Sequence, residues 1–281
     1  RGRAHAGVQG ELLGGLAGFV VYLVSPTYRR HLHENMALAL GEADAARWRW
    51  AAVAAAGRMS LELPRIWLKS LEVAVAQVVE VSGWDVVEAA LAKGKGIVFL
   101  TPHLGCFEIT AQYYATHAPI TTLYRPPKQS WLQEMIEKGR ARTSLYLAPA
   151  DLSGVRGLVK ALKRGEAVGM LPDQAPKVGE GRWLPFFGRP AYTMTLAARL
   201  TETGAEVVLA WGERLPGGAG YHVHFRSPLA PVEGDLEARA IAINHEIESL
   251  VRACPGQYLW GYNRYKRPKG SEAPPATNPV T

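Results

Sequence analysis

The first strong signal along the chain is an apolar run, Leu12 to Val24, broken only by Gly14, Gly15 and Gly18 among its larger residues. A bilayer span needs about 20 apolar residues, so the run predicts a core helix or one lying in a membrane interface. The chain begins at Arg1 rather than Met, and residues ahead of it would lengthen this helix into an anchor. From Asp44 to Leu71, Trp48, Ala51, Ala55, Met59 and Glu62 recur at helical spacing, predicting two helices divided near Pro64. The pattern then changes. A helix over Trp84 to Lys93 is broken by Gly94-Lys95-Gly96 and followed by a wholly apolar strand, Ile97 to Thr101, that stops at Pro102. The same order returns as helix Val155 to Arg164, Gly165 and strand Ala167 to Leu171. It returns again as helix Tyr192 to Thr203, Gly204 and strand Glu206 to Trp211.

Three helix–glycine–buried-strand units predict an α/β fold: a single domain with a largely parallel central sheet flanked by helices, preceded by an N-terminal helical segment. Ile120 to Tyr124 reads as a further strand, Tyr221 to Phe225 alternates as a strand near an edge, and Leu236 to Ala253 reads as a closing helix. From Lys269 onward Pro, Gly, Ser and Thr predict disorder. The expected division is a membrane-associating helical segment at 1–43, the main domain at 44–268 and a tail at 269–281.

Composition narrows the partners. The 281 residues are 48% hydrophobic and carry a net charge of +7, with eight Trp and eleven Tyr, so an anionic surface or acidic partner is implied. The basic residues are scattered rather than striped and no nucleic-acid motif occurs, which argues against nucleic acid. Cys106 and Cys254 lack metal-ligand spacing, which predicts neither a disulfide framework nor a zinc ribbon and fits a reducing, cytosol-facing environment.

In open α/β sheets, chemistry gathers beyond the carboxyl ends of the strands. Two strand ends carry polar clusters. The first is Thr101-Pro102-His103-Leu104-Gly105-Cys106-Phe107-Glu108. A neutral imidazole suits removal of a proton from an attacking hydroxyl, and a carboxylate on its other nitrogen would fix the tautomer, so His103 is the candidate base and Glu108 its orienting acid. A capping arrangement of loop and helix is the plain alternative. Cys106 reads as a packing residue, no Gly-x-Ser-x-Gly elbow or Walker A sequence occurs, and His222 with His224 lacks an acid nearby in sequence, so no metal site is expected there.

The second cluster, Leu171-Pro172-Asp173-Gln174, leads through a basic glycine-rich loop containing Arg182 into Trp183-Leu184-Pro185-Phe186-Phe187. A polar end beside an aromatic stretch suits a substrate with a head group and a hydrocarbon tail, although core packing explains Phe186 and Phe187 as well. Arg125, after the Ile120 to Tyr124 strand, is placed to bind a phosphate or polarise a carbonyl, or is a surface turn residue.

Several segments taken together resemble one family. Pro102-His103-Leu104-Gly105 through Glu108, Tyr124-Arg125-Pro126, Leu171-Pro172-Asp173-Gln174, Phe186-Phe187-Gly188-Arg189-Pro190 and Gln257-Tyr258-Leu259-Trp260 with Tyr262-Asn263-Arg264-Tyr265-Lys266 are similar to the bacterial lipid A biosynthesis (lauroyl or myristoyl) acyltransferases. The resemblance runs from about Leu12 to Pro268. It implies a glycerol-3-phosphate acyltransferase-like fold and transfer of a fatty acyl chain from acyl carrier protein or acyl-CoA to a glycolipid hydroxyl. It implies no cofactor, a place on the cytoplasmic face of the inner membrane, and direct transfer without an acyl-enzyme. His103 and Glu108 then match the catalytic pair, while Arg125, Asp173, Gln174 and Arg182 are expected to bind substrate. Arg264, Lys266, Arg267 and Lys269 are expected to meet anionic headgroups or the carrier. The rival readings are the same scaffold on an aminolipid or glycosylated phosphoinositide, and a non-catalytic lipid-binding protein.

Overall fold

The computed structural model describes residues 2–125 and 144–275, with Gln133, Glu134 and Glu137 between them. The expected strand-end neighbours Pro126 to Lys128 and the last tail residues, 276–281, lie outside the described residues. The chain opens with helices α1 (Gly2–Val24), α2 (Pro26–Leu40), α3 (Glu42–Trp67) and α4 (Leu71–Val75). Strands and helices then alternate: β1 (Val78–Ser82), α5 (Trp84–Ala92), β2 (Ile97–Leu100), α6 (Phe107–Tyr114), β3 (Ile120–Tyr124), β4 (Leu145–Pro149), α7 (Leu152–Lys163) and β5 (Ala167–Met170). A two-stranded hairpin of β6 (Gly181–Phe186) and β7 (Arg189–Met194) follows, then α8 (Leu196–Thr201), β8 (Glu206–Arg214), β9 (Tyr221–Arg226) and α9 (Leu236–Ala253).

Among the described residues the main sheet has seven strands in the order β1-β9-β8-β2-β5-β3-β4. Strands β8, β2, β5, β3 and β4 are mutually parallel, while β9 runs antiparallel to β8 and pairs parallel with β1. All four residues of β2 and of β5 are buried because helices cover both faces, which is why these strands read as unbroken apolar runs. One face packs Val98, Leu100, Val168 and Met170 against α7, α8 and α9; the other packs Ile97, Phe99 and Val208 against α4, α5 and α6. The expected α/β architecture is the one observed.

Two helix expectations need correction. Asp44 to Leu71 is not two helices divided at Pro64: α3 continues to Trp67, since Pro64 removes one hydrogen bond with a single turn left, and its carbonyl still accepts from Leu68. Tyr192 to Thr203 is not one helix, because Tyr192 to Met194 pair with Gly181 to Trp183 across the hairpin and α8 starts at Leu196. Within the tail expected to be disordered, Ser271 is buried, its carbonyl accepts two N–H groups from Arg267, and the Glu272 carbonyl accepts from Trp183.

The N-terminal helices join the domain at two places. On α2, Leu32 and Met36 enter the main core, and the Asn35 amide donates to the carbonyls of Trp260 and Tyr262 at 2.8 and 2.9 Å. Helix α1 crosses α3 at Gly14, Gly18 and Gly57, where a Cβ on Gly57 would overlap the Gly14 and Gly18 backbone. Its other side leaves Leu12, Leu13, Leu16, Leu23 and Val24 exposed. No single helix among the described residues is long and apolar enough to cross a membrane; α1 and α2 meet at 102°.

Candidate functional site

Strands β2 and β5 are neighbours in register, with Leu100 paired to Met170. Each chain therefore leaves the sheet beside the other, and the third residue past each pair, His103 and Asp173, meets its counterpart. His103 Nδ1 lies 2.8 Å from Asp173 Oδ1, and the His103 backbone N–H donates to Oδ2 at 2.9 Å. The β2 strand sends the chain toward β3 on one side, while β5 sends it through the hairpin to β8 on the other, so the pair sits at a topological switch point.

Asp173 is buried. Burial alone would raise its carboxyl pKa, but the His103 ring and the hydrogen bonds from His103 outweigh it and hold the carboxyl below its ordinary value. Behind it lies Tyr258, whose phenol is pushed well above its usual range by burial and then by the Asp173 charge. On the other side of the ring, Gln174 Nε2 approaches His103 Nε2 at 3.2 Å, and Phe107 packs against the ring with centroids 4.9 Å apart.

The loop bearing His103 is held by its backbone. Gly105 has φ +57, and a Cβ there would overlap the Gly212 carbonyl, so this approach requires glycine. The N–H groups of Gly105 and Cys106 donate to the carbonyls of Gln257 and Gly212 at 3.0 and 2.7 Å, and the Leu259 N–H donates to the His103 carbonyl at 3.1 Å. Arg214 donates to the Gly105 carbonyl at 2.7 Å and is itself gripped by both Glu62 oxygens at 2.7 Å. These buried groups beneath the loop are a part of the site that sequence reading missed; the Gln257 to Trp260 segment was its visible trace.

The acid expected on the ring, Glu108, is not the carboxylate bonded to Nδ1: Asp173 takes that nitrogen and Gln174 faces Nε2. Glu108 lies in the first turn of α6, where the helix turns its side chain inward; it is 2% exposed and lines a cavity of about 20 Å³ with Phe99, Thr110, Tyr114 and Phe225. That space is roughly one water, far short of a hydrocarbon chain. Cys106 is fully buried, and burial drives its thiol well above the ordinary range.

The remaining expected residues fall in different places. Arg125 is exposed at the end of β3, on the same sheet edge as His103, with Nη2 3.7 Å from Glu180. Arg182 lies on the hairpin, 3.3 Å from Glu237 on the surface, and is not gathered with His103. Phe186 and Phe187 belong to the core, as the plainer of the two readings had it. Arg264, expected to meet headgroups, is 3% exposed: it donates to the Tyr192 carbonyl and Thr193 hydroxyl at 2.8 Å and covers the Phe186 ring.

Fold and site thus define an α/β protein with a histidine held by a buried carboxylate at the carboxyl edge of a parallel sheet. The chain belongs to the bacterial lipid A biosynthesis acyltransferases, whose sequence profile matches residues 10–267. It is 31% identical over 205 residues to the lipid A biosynthesis lauroyltransferase of Escherichia coli K12, covering 70% of this chain and 65% of the relative. It is 27% identical over 199 residues to the palmitoleoyltransferase of the same organism, 69% of this chain and 64% of the relative. A lipid A biosynthesis acyltransferase of Haemophilus influenzae matches at 27% over 185 residues, 64% of this chain and 57% of the relative. The match spans less than two thirds of the length of each of these relatives.

Proposed function

We propose that this chain is an O-acyltransferase that moves a fatty acyl group from a thioester, carried by acyl carrier protein or coenzyme A, to a hydroxyl of a lipid A-type glycolipid, on a scaffold of the glycerol-3-phosphate acyltransferase type. The observation that carries the reading is the His103–Asp173 pair at the switch point of the sheet, in a chain of this family. With a carboxylate at Nδ1, that nitrogen holds the proton and Nε2 is left with the lone pair a general base needs. The acceptor hydroxyl takes the place of the Gln174 amide at Nε2 and gives up its proton as its oxygen attacks the thioester carbonyl. The C–O bond forms, the C–S bond breaks, and the imidazolium returns the proton to the departing thiolate. No covalent enzyme intermediate is needed, in keeping with the buried, protonated Cys106.

The N–H groups of His103, Leu104, Gly105 and Cys106 already have partners, so the role of meeting charge on the thioester oxygen falls to other groups. Arg125 serves that role or holds a phosphate of the acceptor. Glu108 forms a polar spot in the wall of the apolar cavity, which must widen to accept an acyl chain. The exposed leucines of α1 lie at the cytoplasmic face of the inner membrane, each apolar side chain contributing to the attachment.

The test is acyl transfer from labelled acyl carrier protein to a lipid A precursor by wild type, His103→Ala and Asp173→Asn at matched folded concentration. Loss in both variants supports the assignment. Undiminished transfer without His103 overturns the mechanism, and wild-type inactivity on every glycolipid hydroxyl offered overturns the acceptor class.

A further inference from the structure

Away from the His103 loop, the antiparallel pairing of β8 and β9 places a second histidine–carboxylate cluster on one face of the sheet. Glu213 pairs across the strands with His222, and Trp211 pairs with His224. Because residues two apart on a strand share a face, both imidazoles point the same way and stack with centroids 3.7 Å apart. His224 is further fixed between its neighbour and Trp211, whose ring stacks on it at 4.3 Å and 6°. Glu213 Oε2 lies 3.1 Å from His224 Nε2. One ligand-type atom from each of Glu213, His222 and His224 falls within 4.8 Å of the other two.

We propose that Glu213, His222 and His224 form a binding site for a divalent transition-metal ion of the zinc class. Two imidazole nitrogens and one carboxylate oxygen are a borderline-soft donor set, which suits Zn²⁺ over the oxygen-seeking Mg²⁺ and Ca²⁺, and three protein ligands leave a fourth position for water. The surroundings supply the outer partners such sites need. His222 has an oxygen beside each ring nitrogen, Ser82 Oγ 2.7 Å from Nε2 and Glu80 Oε2 3.5 Å from Nδ1, so whichever nitrogen turns to the ion, the other keeps a partner. Both come from β1, the edge strand, so an ion here would draw β1, β9 and β8 together. Glu213 lies between Gly212 and Arg214, two of the residues that hold the backbone of the His103 loop. Occupancy therefore bears on the strand that supports the proposed active site without touching the reacting groups.

The inference stands apart from the acyl-transfer reading, because its test reads only the metal. The full chain, stripped with a chelator, is titrated with Co²⁺ and the visible spectrum followed, then Zn²⁺ is added in competition and the melting temperature recorded. One equivalent of Co²⁺ with the bands of a four-coordinate site, displaced by Zn²⁺ and accompanied by a Zn²⁺-dependent rise in Tm, is the expected result. Glu213→Gln, which keeps shape at a half-exposed position, is expected to weaken binding at least tenfold with the circular dichroism spectrum unchanged, and His222→Ala/His224→Ala to abolish it. A silent Co²⁺ titration with no change in Tm overturns the proposal. So does equal binding by folded Glu213→Gln and by the double histidine variant, which would place the ion elsewhere.

Discussion

Two clusters in this protein pair imidazole with carboxylate, and they differ in how the fold brings them together. At His103 a single ring is held by one buried carboxylate, each group on a loop just past the end of its strand. At His222 and His224 two rings stand on the strand itself, with the partly exposed Glu213 and the exposed Glu80 beside them. The first has one nitrogen fixed by Asp173 and the other turned toward Gln174, which suits proton transfer. The second converges several lone pairs on one point, which suits an ion. Chemically similar side chains are thus sorted by whether a buried acid has already committed one nitrogen.

The sharpest break in this contrast comes from His103→Ala, expected to lower acyl transfer by about 10³-fold, measured in single turnover with folding checked by circular dichroism. Asp173→Asn follows, with a smaller loss, since the amide no longer fixes the tautomer. The same variant carries a pH signature. A carboxyl whose folded pKa lies below its unfolded value of 3.8 contributes stability above that pH, and the contribution is lost as pH falls through the folded pKa. Denaturation midpoints of wild type should therefore fall more steeply below about pH 4 than those of Asp173→Asn. Glu108→Gln is expected to cost about tenfold in transfer, less than Asp173→Asn, because its side chain faces the cavity rather than the ring. A larger loss than that of Asp173→Asn would return the orienting role to Glu108. The smallest effect belongs to the second cluster: in metal-stripped protein, Glu213→Gln should move the urea unfolding free energy by no more than about 0.5 kcal/mol, as a partly exposed carboxylate does.

The parallel core was legible because β2 and β5 are covered on both faces and so appear as pure apolar runs between glycine and proline. The hairpin was not, although its turn, Phe187-Gly188, has both residues at positive φ, the two-residue geometry that suits a tight β-turn. Phe at the first position hid a signal that Asn or Asp would have made plain, and the stretch from Tyr192 to Thr203 then read as one helix. The site divided in the same way. His103 and the Asp173-Gln174 cluster stood out separately at strand ends, but joining them needed the register of β2 with β5, a property of the folded sheet. Spacing along the chain could only offer the nearest acid, Glu108. The same blindness separated Glu213 from His222 and His224, which meet only across an antiparallel pair.

The glycine seam between α1 and α3 has a consequence for how attachment and folding divide their labour. Where Gly14, Gly18 and Gly57 meet, the seam is closed by backbone against backbone, with Phe19 and Tyr22 packed on Trp50 beside it, so the exposed leucines of α1 are not what closes it. Polar replacements at Leu12, Leu16 or Leu23 should strip the protein from vesicles of anionic lipid while leaving its melting curve nearly where it was, whereas Gly57→Leu should prise the helix off and lose both. On the proposed attachment, affinity for a bilayer is a dial on the outside of this molecule, free to be turned by mutation without a toll on the domain beneath.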